Sequence, residues 1–178
     1  IHGLTGERFE AGLGAGYVPE DYAAAGQPLP PPSVRIAHLE RVATQLRGQA
    51  PEVPILIPAS GPKTLSVAAK HADIVGLIPG PARSNDPLAE RIDIVRGAAP
   101  ERFSDLTFQL GFDAVHDHRT GECDLTFASQ HAPGLSEEQL MELPTVLTGT
   151  PSQMADEVQA LRERYGITYF TVTEAALH

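Results

Sequence analysis

Cysteine occurs once in the sequence, at Cys123, which excludes an internal disulfide and a cysteine-only zinc site and fits a reducing cytoplasm. Basic residues are also scarce: 13 Lys and Arg stand against 23 Asp and Glu, for a net charge of −10. That balance argues against a nucleic-acid partner, because no basic patch is available to neutralise phosphates. No apolar run is long enough to cross a membrane, so no membrane partner is expected. Ile1 opens no signal peptide, and without an initiating methionine an end of the chain is expected to have been cut or left out. What is present suits burial. At 42% hydrophobic, the 178 residues can form a substantial core as a single domain over residues 1–178. Sixteen Gly and sixteen Pro mark many turns, as in an α/β chain with many strand–helix loops.

The most informative stretch is residues 8–16, R-F-E-A-G-L-G-A-G. A β-prone run leads into Gly12, Gly14 and Gly16, where the chain can turn sharply and a flat ligand can approach the backbone. Residues 17–23 read as a helix start, with Pro19 near the first position. Strand, glycine turn and helix together are the geometry of a ligand site at the carboxyl end of a parallel strand. The spacing is not the dinucleotide fingerprint G-x-G-x-x-G. From the glycines alone, a tight structural turn and a ligand site are equally good readings.

The rest of the chain reads as strand–helix units. A proline-stiffened loop over residues 24–32 precedes a helix over residues 33–47, capped by Ser33 and ended by Gly48. Its apolar face is Ile36, Leu39, Val42, Ala43 and Leu46, with Arg35, Glu40 and Arg41 on the solvated side. Ile55, Leu56 and Ile57 suit a strand buried on both faces. The turn at residues 58–62 and the helix at 63–70 place backbone N–H groups, Ser60 and Gly61 together as an anion site, although an ordinary cap with a surface Lys63 is the simpler account. A strand over residues 72–78, a loop over 79–86 containing Arg83, and a helix over 87–96 capped by Asn85 or Asp86 follow. Residues 106–115 read as one strand and residues 116–121 as a turn. Asp-Leu-Thr-Phe at 105–108 recurs at 124–127, a match too short to be a repeat, which leaves open a second strand pairing with the first as a hairpin. Ser136 opens a short helix, residues 146–148 are extended, and Thr150, Pro151 and Gln153 are a full helix-start signal. Gly166 stops that helix, and residues 167–173 form the last strand.

His116, His118 and His131 lie near Asp117, Asp124 and Cys123 in sequence, but no established ligand spacing supports a metal site, and none is assigned. His2, His38, His71 and His178 are read as core or surface residues.

The glycine stretch resembles the fourth barrel strand of the luciferase-like monooxygenase superfamily, G-R-F-x-L-G-L-G-A-G, followed by an aromatic residue (here Tyr17) and an acidic residue beside Tyr (here Asp21 and Tyr22). Residues 57–75 are similar to its strand-turn-helix-strand with A-S-G and A-D-I-V-G, residues 96–106 to its R-x-A-A-G-E-R-F-x-D-L link, and residues 143–172 to its last unit, V-L-x-G-T-P-x-Q and R-E-R-Y-G-I-x-Y. The branch most resembled is that of coenzyme F420-dependent (deazaflavin) oxidoreductases. The resemblance implies a (β/α)8 TIM-barrel-like fold, represented here by its C-terminal five strand–helix units, with the cofactor at the carboxyl ends of the strands. It implies that Gly14, Ala15 and Gly16 lie against the ring, that Ala59, Ser60 and Gly61 hold the phosphate-bearing tail, and, more weakly, that Leu77 contributes.

About three units of a barrel that typically needs about 250 residues are absent. Either the chain is a piece of a longer one, which is the expectation, or it is a shortened relative with altered function. Five parallel strands cannot close a barrel alone, and open edges call for a cover, so a homo-oligomer is expected. The resemblance implies an oxidoreductase that transfers a hydride between F420 and a small-molecule substrate. The alternatives are an FMN-dependent monooxygenase of the same superfamily and a non-catalytic binding or interaction protein derived from the barrel. The catalytic acid and base are not assigned.

Overall fold

Ile55 and Ile57 are fully buried and Ala59 nearly so, while Leu56 and Pro58 between them are not. That alternation corrects the expectation of a strand buried on both faces: Ile55, Ile57 and Ala59 line the covered side, and the other side stays partly open. The computed structural model describes residues 2–79, 86–121, 123–172 and 174; Arg83, Asn85, Thr173 and His178 lie outside the described residues. The chain divides into two compact units, residues 1–75 with 94–106, and residues 76–93 with 107–178.

In the first unit, β1 (Ala11–Gly12) leads to α1 (Pro19–Ala24) and α2 (Pro32–Gln49), then β2 (Ile55–Ala59), α3 (Pro62–His71) and β3 (Ile74–Leu77), whose last two residues belong to the second unit. β1 and β2 are parallel, with Ala11 opposite Ile55 and Gly12 opposite Leu56. Leu39 and Ala43 of α2 and Leu65, Ala68 and Ala69 of α3 are buried. Each large aliphatic among them contributes on the order of 1.5–3 kcal/mol through burial. Asp73 ties β3 to β2: its Oδ2 accepts from Ile55 N at 2.8 Å, and its own N–H donates to Ile55 O at 2.9 Å. The Asp of the A-D-I-V-G motif is therefore a structural residue, further paired with Arg47 at 2.5 Å. Arg102 donates to Ala69 O and Ala72 O, each at 2.9 Å, satisfying carbonyls at the end of α3 where the helix dipole favours a cation.

Two helix ends differ from the sequence expectation. Gly48 stays inside α2, and the helix stops one residue later because Pro51, just beyond Ala50, has no N–H to continue it. Pro31, not Ser33, occupies the N-cap of α2, with Pro32 in the first turn.

In the second unit, α4 (Pro87–Ala98) begins; its residues from Ile94 onward belong to the first. Asp86 caps it, accepting from Ala89 N at 3.1 Å, and Leu88, Ile92 and Val95 are its buried stripe. β4 (Thr107–Phe112) is followed at once by β5 (Ala114–Asp117), then α5 (Thr126–His131), α6 (Glu137–Met141), β6 (Val146–Gly149), α7 (Pro151–Tyr165) and β7 (Ile167–Val172). β4 and β7 are parallel, with Phe112 stacked on Phe170 at 5.6 Å. β5 and β6 form a separate parallel pair. The strand order of the main sheet is β1-β2-β3-β4-β7, so five strands alternate with helices in an α/β fold.

Three expectations are corrected here. The single strand at 106–115 is two strands broken at Asp113, whose N–H donates to Thr145 O at 2.7 Å and turns the chain into the second sheet. His116 and Asp117 thus belong to β5 and not to a turn. The repeated Asp-Leu-Thr-Phe forms no hairpin: Asp124 Oδ1 accepts from Thr126 N at 2.8 Å and starts α5, a helix.

Candidate functional site

Two neighbouring parallel strands leave the sheet at the same end. Leu13 N donates to Leu56 O at 2.8 Å, the last bond between them before the chains diverge. From β1 comes the turn Gly14, Ala15 and Gly16; from β2 come Ala59, Ser60 and Gly61. The parallel register puts both segments at the same end of the pair, although the sequence separates them by more than forty residues. Gly16 is the left-handed residue of its turn, at φ 66°. A Cβ there would sit 3.0 Å from the Tyr22 hydroxyl oxygen, so the position disfavours a side chain on two grounds. Gly12 and Gly14 are exposed, and a Cβ on Gly14 would meet nothing nearer than Gly16 N at 4.0 Å.

Gly61 is the N-cap of α3, at φ −87° and ψ 152°, with no side-chain cap. Its φ is negative, and a Cβ would meet nothing within 4 Å. Ser60 is exposed and does not cap the helix. Pro62 has no N–H, and Leu65 N is the first to bond back, to Gly61 O at 2.9 Å. The amides of Lys63 and Thr64 precede it in a first turn that carries no acidic residue. A helix start of this kind favours an anion. Leu77, the last residue of β3, is 2% exposed.

Arg35 is the residue that sequence reasoning missed. Assigned to the solvated side of α2, it instead donates from Nη1 to Gly16 O and from Nε to Pro30 O, the latter at 3.0 Å. No local signal marks this, since Arg35 and Gly16 are 19 residues apart. Glu40, on the same helix, meets a residue of α3, its Oε1 lying 3.3 Å from His71 Nε2.

In the second unit, His116 and His118 have ring centroids 6.1 Å apart, and His116 Nε2 is engaged with Gly121 O at 2.8 Å. Among the described residues no three His, Cys, Asp or Glu side chains come together as a metal site would need. Burial, with Asp124 beside it, pushes the Cys123 thiol above its usual pKa. Asp86 accepts from Tyr165 Oη at 3.0 Å and from Arg164 at 2.5 Å. Burial first, and that bond second, raise the Tyr165 phenol. A cavity of about 610 Å3 in this unit is lined by Leu88, His118, Leu147, Glu157, Arg164 and Tyr165 among others, and by none of the glycine-turn residues. No helix among the described residues is long and apolar enough to cross a membrane.

No protein-family model matches the sequence, and no curated protein is similar to it. Solved structures are. An F420-dependent secondary alcohol dehydrogenase in complex with an F420-acetone adduct superposes with a TM-score of 0.70 at 15% identity, over 96% of this chain and 65% of that one. The coenzyme F420-dependent tetrahydromethanopterin reductase from Methanopyrus kandleri gives 0.67 at 16% identity, over 96% and 70%. The monooxygenase RslO1 from Streptomyces bottropensis gives 0.64 at 16% identity, over 98% and 64%. The chain thus spans about 65% of the length of the first of these. The α/β fold with a parallel five-stranded sheet, anticipated from the glycine stretch and the C-terminal unit, is the fold observed, and this chain shares it with these structures.

Proposed function

We propose that this chain carries the cofactor-holding part of an F420-dependent oxidoreductase, which passes a hydride between the deazaflavin and a small organic substrate. The observation that carries this reading is that Gly14–Gly16 and the open start of α3 both follow the same end of the β1–β2 pair. The residues fit the group. Gly14 and Gly61 leave the backbone accessible, as a flat ring and a phosphate each require. Gly14, Ala15 and Gly16 would lie against the ring, while Ala59, Ser60, Gly61 and the amides of Lys63 and Thr64 would hold the phosphate. When bound, the deazaflavin supplies the hydride chemistry, and the chain orients and shields it. Two structural neighbours bear F420 in their names, which supports the choice of cofactor. The monooxygenase among them favours a second reading, an FMN-dependent monooxygenase on the same fold.

Titration with F420 and with FMN tests the proposal, since the long-wavelength band of oxidised flavin distinguishes the two by absorbance. Saturable binding of F420 is expected; binding of FMN alone would transfer the assignment to the second reading, and binding of neither would end both. Gly61→Val tests the phosphate position cleanly, because valine is compatible with the backbone there and has room. It should weaken the intact cofactor about tenfold, the loss of one hydrogen bond to a charged group, and affect a deazaflavin lacking the phosphate tail far less. Ser60→Ala should cost only about 0.5–1.5 kcal/mol of binding. Equal losses for both ligands in Gly61→Val would remove the phosphate assignment.

A further inference from the structure

We infer that Arg35 is a positioning residue of this site, holding the Gly14–Gly16 turn in the form that receives the ring. The inference rests on the reading of that turn as the cofactor's ring contact. The guanidinium spans two separate segments: Nε donates to Pro30 O at 3.0 Å and Nη1 to Gly16 O. Both partners are carbonyls, one in the proline-rich loop before α2 and one at the left-handed glycine. A planar fork with donors fixed in one plane suits this double task, and a hydrogen bond from a charged donor is stronger than one between neutral groups.

The need for such a clamp follows from the turn itself. Glycine loses more backbone freedom on ordering than any other residue, and Gly12, Gly14 and Gly16 are all exposed. The Tyr22 hydroxyl end stands where a Cβ on Gly16 would come, which crowds that position but does not set the peptide plane. Fixing Gly16 O fixes the plane of the peptide that follows, and with it the path into Tyr17, which is 73% exposed beside the turn. A turn held this way is ordered before the ligand arrives, so binding does not bear that cost. α2 supplies the anchor: Leu39 and Ala43, farther along the same helix, are buried in the core of the unit.

The test compares the wild-type protein with Arg35→Ala, Arg35→Lys and Gly61→Val, titrated with F420 and with a deazaflavin that lacks the phosphate tail. Arg35→Ala should weaken both ligands by about tenfold, the scale of one hydrogen bond from a charged donor, and by the same factor, whereas Gly61→Val weakens only the intact cofactor. Arg35→Lys should recover part of the loss, because an ammonium can serve one carbonyl but not both in the forked geometry. At saturation the absorbance of the bound chromophore in Arg35→Ala should move toward that of the free ligand. A thermal midpoint establishes that each variant is folded; if Arg35→Ala is not, Arg35→Gln keeps much of the stem and one donor and should show the same ligand pattern. Unchanged affinity in folded Arg35→Ala or Arg35→Gln overturns the inference, as does a loss confined to the intact cofactor, which would make Arg35 a tail contact. A wild-type protein that binds no deazaflavin overturns the functional reading itself and this inference with it, and is a separate result.

Discussion

Three glycines at every second position are visible in the sequence, but which of them needs its freedom is not. Only Gly16 has a positive φ, 66°, and only there does a neighbour, Tyr22, close the space a side chain would take. Gly16→Ala should therefore cost about 1–2 kcal/mol, read as a lower urea midpoint, whereas Gly61→Ala should stay within about 0.5 kcal/mol of wild type. Equal losses at the two positions would contradict the backbone described here. Asp117 offers a second single-residue test. Arg119 grips both of its oxygens, and chiefly through that hydrogen bond its pKa is lowered to about 2. The folded value lies below the unfolded one, so the interaction is fully present above about pH 4 and disappears as the pH falls through about 2. In Arg119→Ala the Asp117 carboxyl should titrate higher than in the wild type but still below its ordinary value, because the backbone N–H of residue 119 continues to donate to Asp117 Oδ1, a rise that a carbon-detected NMR titration resolves. The pair is two residues apart and could have been suspected from sequence; Arg35 with Gly16 could not, because nothing local distinguishes a reaching arginine from a solvated one.

Among the elements, legibility follows how local the determining interactions are. α7 is set by groups within four residues: Thr150 Oγ1 accepts from Gln153 N at 3.4 Å, Gln153 Oε1 accepts from Thr150 N at 2.8 Å, and Gly166 closes the far end at φ 70°. Its start and stop were both readable for that reason. β2 and β7 were readable from apolar and β-branched runs. The break between β4 and β5 was not, because the partner that draws β5 away is β6, about thirty residues further on. α5 was misread since four residues of matching sequence say nothing about the partner a strand needs. Thr150→Ala tests the local case. Removing the capping hydroxyl should cost about 0.5–2 kcal/mol, measured as a shift in thermal or urea midpoint, with cofactor affinity unchanged. A tenfold fall in affinity at unchanged stability would instead make Thr150 a residue of the site.

At the scale of the whole molecule, motif resemblance carried the fold, while the means of closing the sheet is written in no local pattern. β1 ends the strand order on one side and β7 on the other, so each bonds to a single neighbour among the described residues. The outer side of β7 is the longer of the two, six residues against two, with Thr168 and Val172 exposed. Parallel strands are ordinarily covered on their faces and paired along their edges, and an unpaired edge is a template for another strand. The neighbours of the same fold are longer, this chain matching 65% of the first of them. We therefore predict that the 178-residue polypeptide, studied alone, associates with itself in a concentration-dependent way and sediments above the 19.0 kDa of a single chain. Val172→Lys, which places a charge on the exposed edge, should shift that equilibrium toward the monomer, as lysine does on natural edge strands. If association runs instead through another surface, Val172→Lys will leave the sedimentation profile unchanged. A monomer at every concentration would mean that the edge of β7 needs no cover, and the expectation of a homo-oligomer would fall.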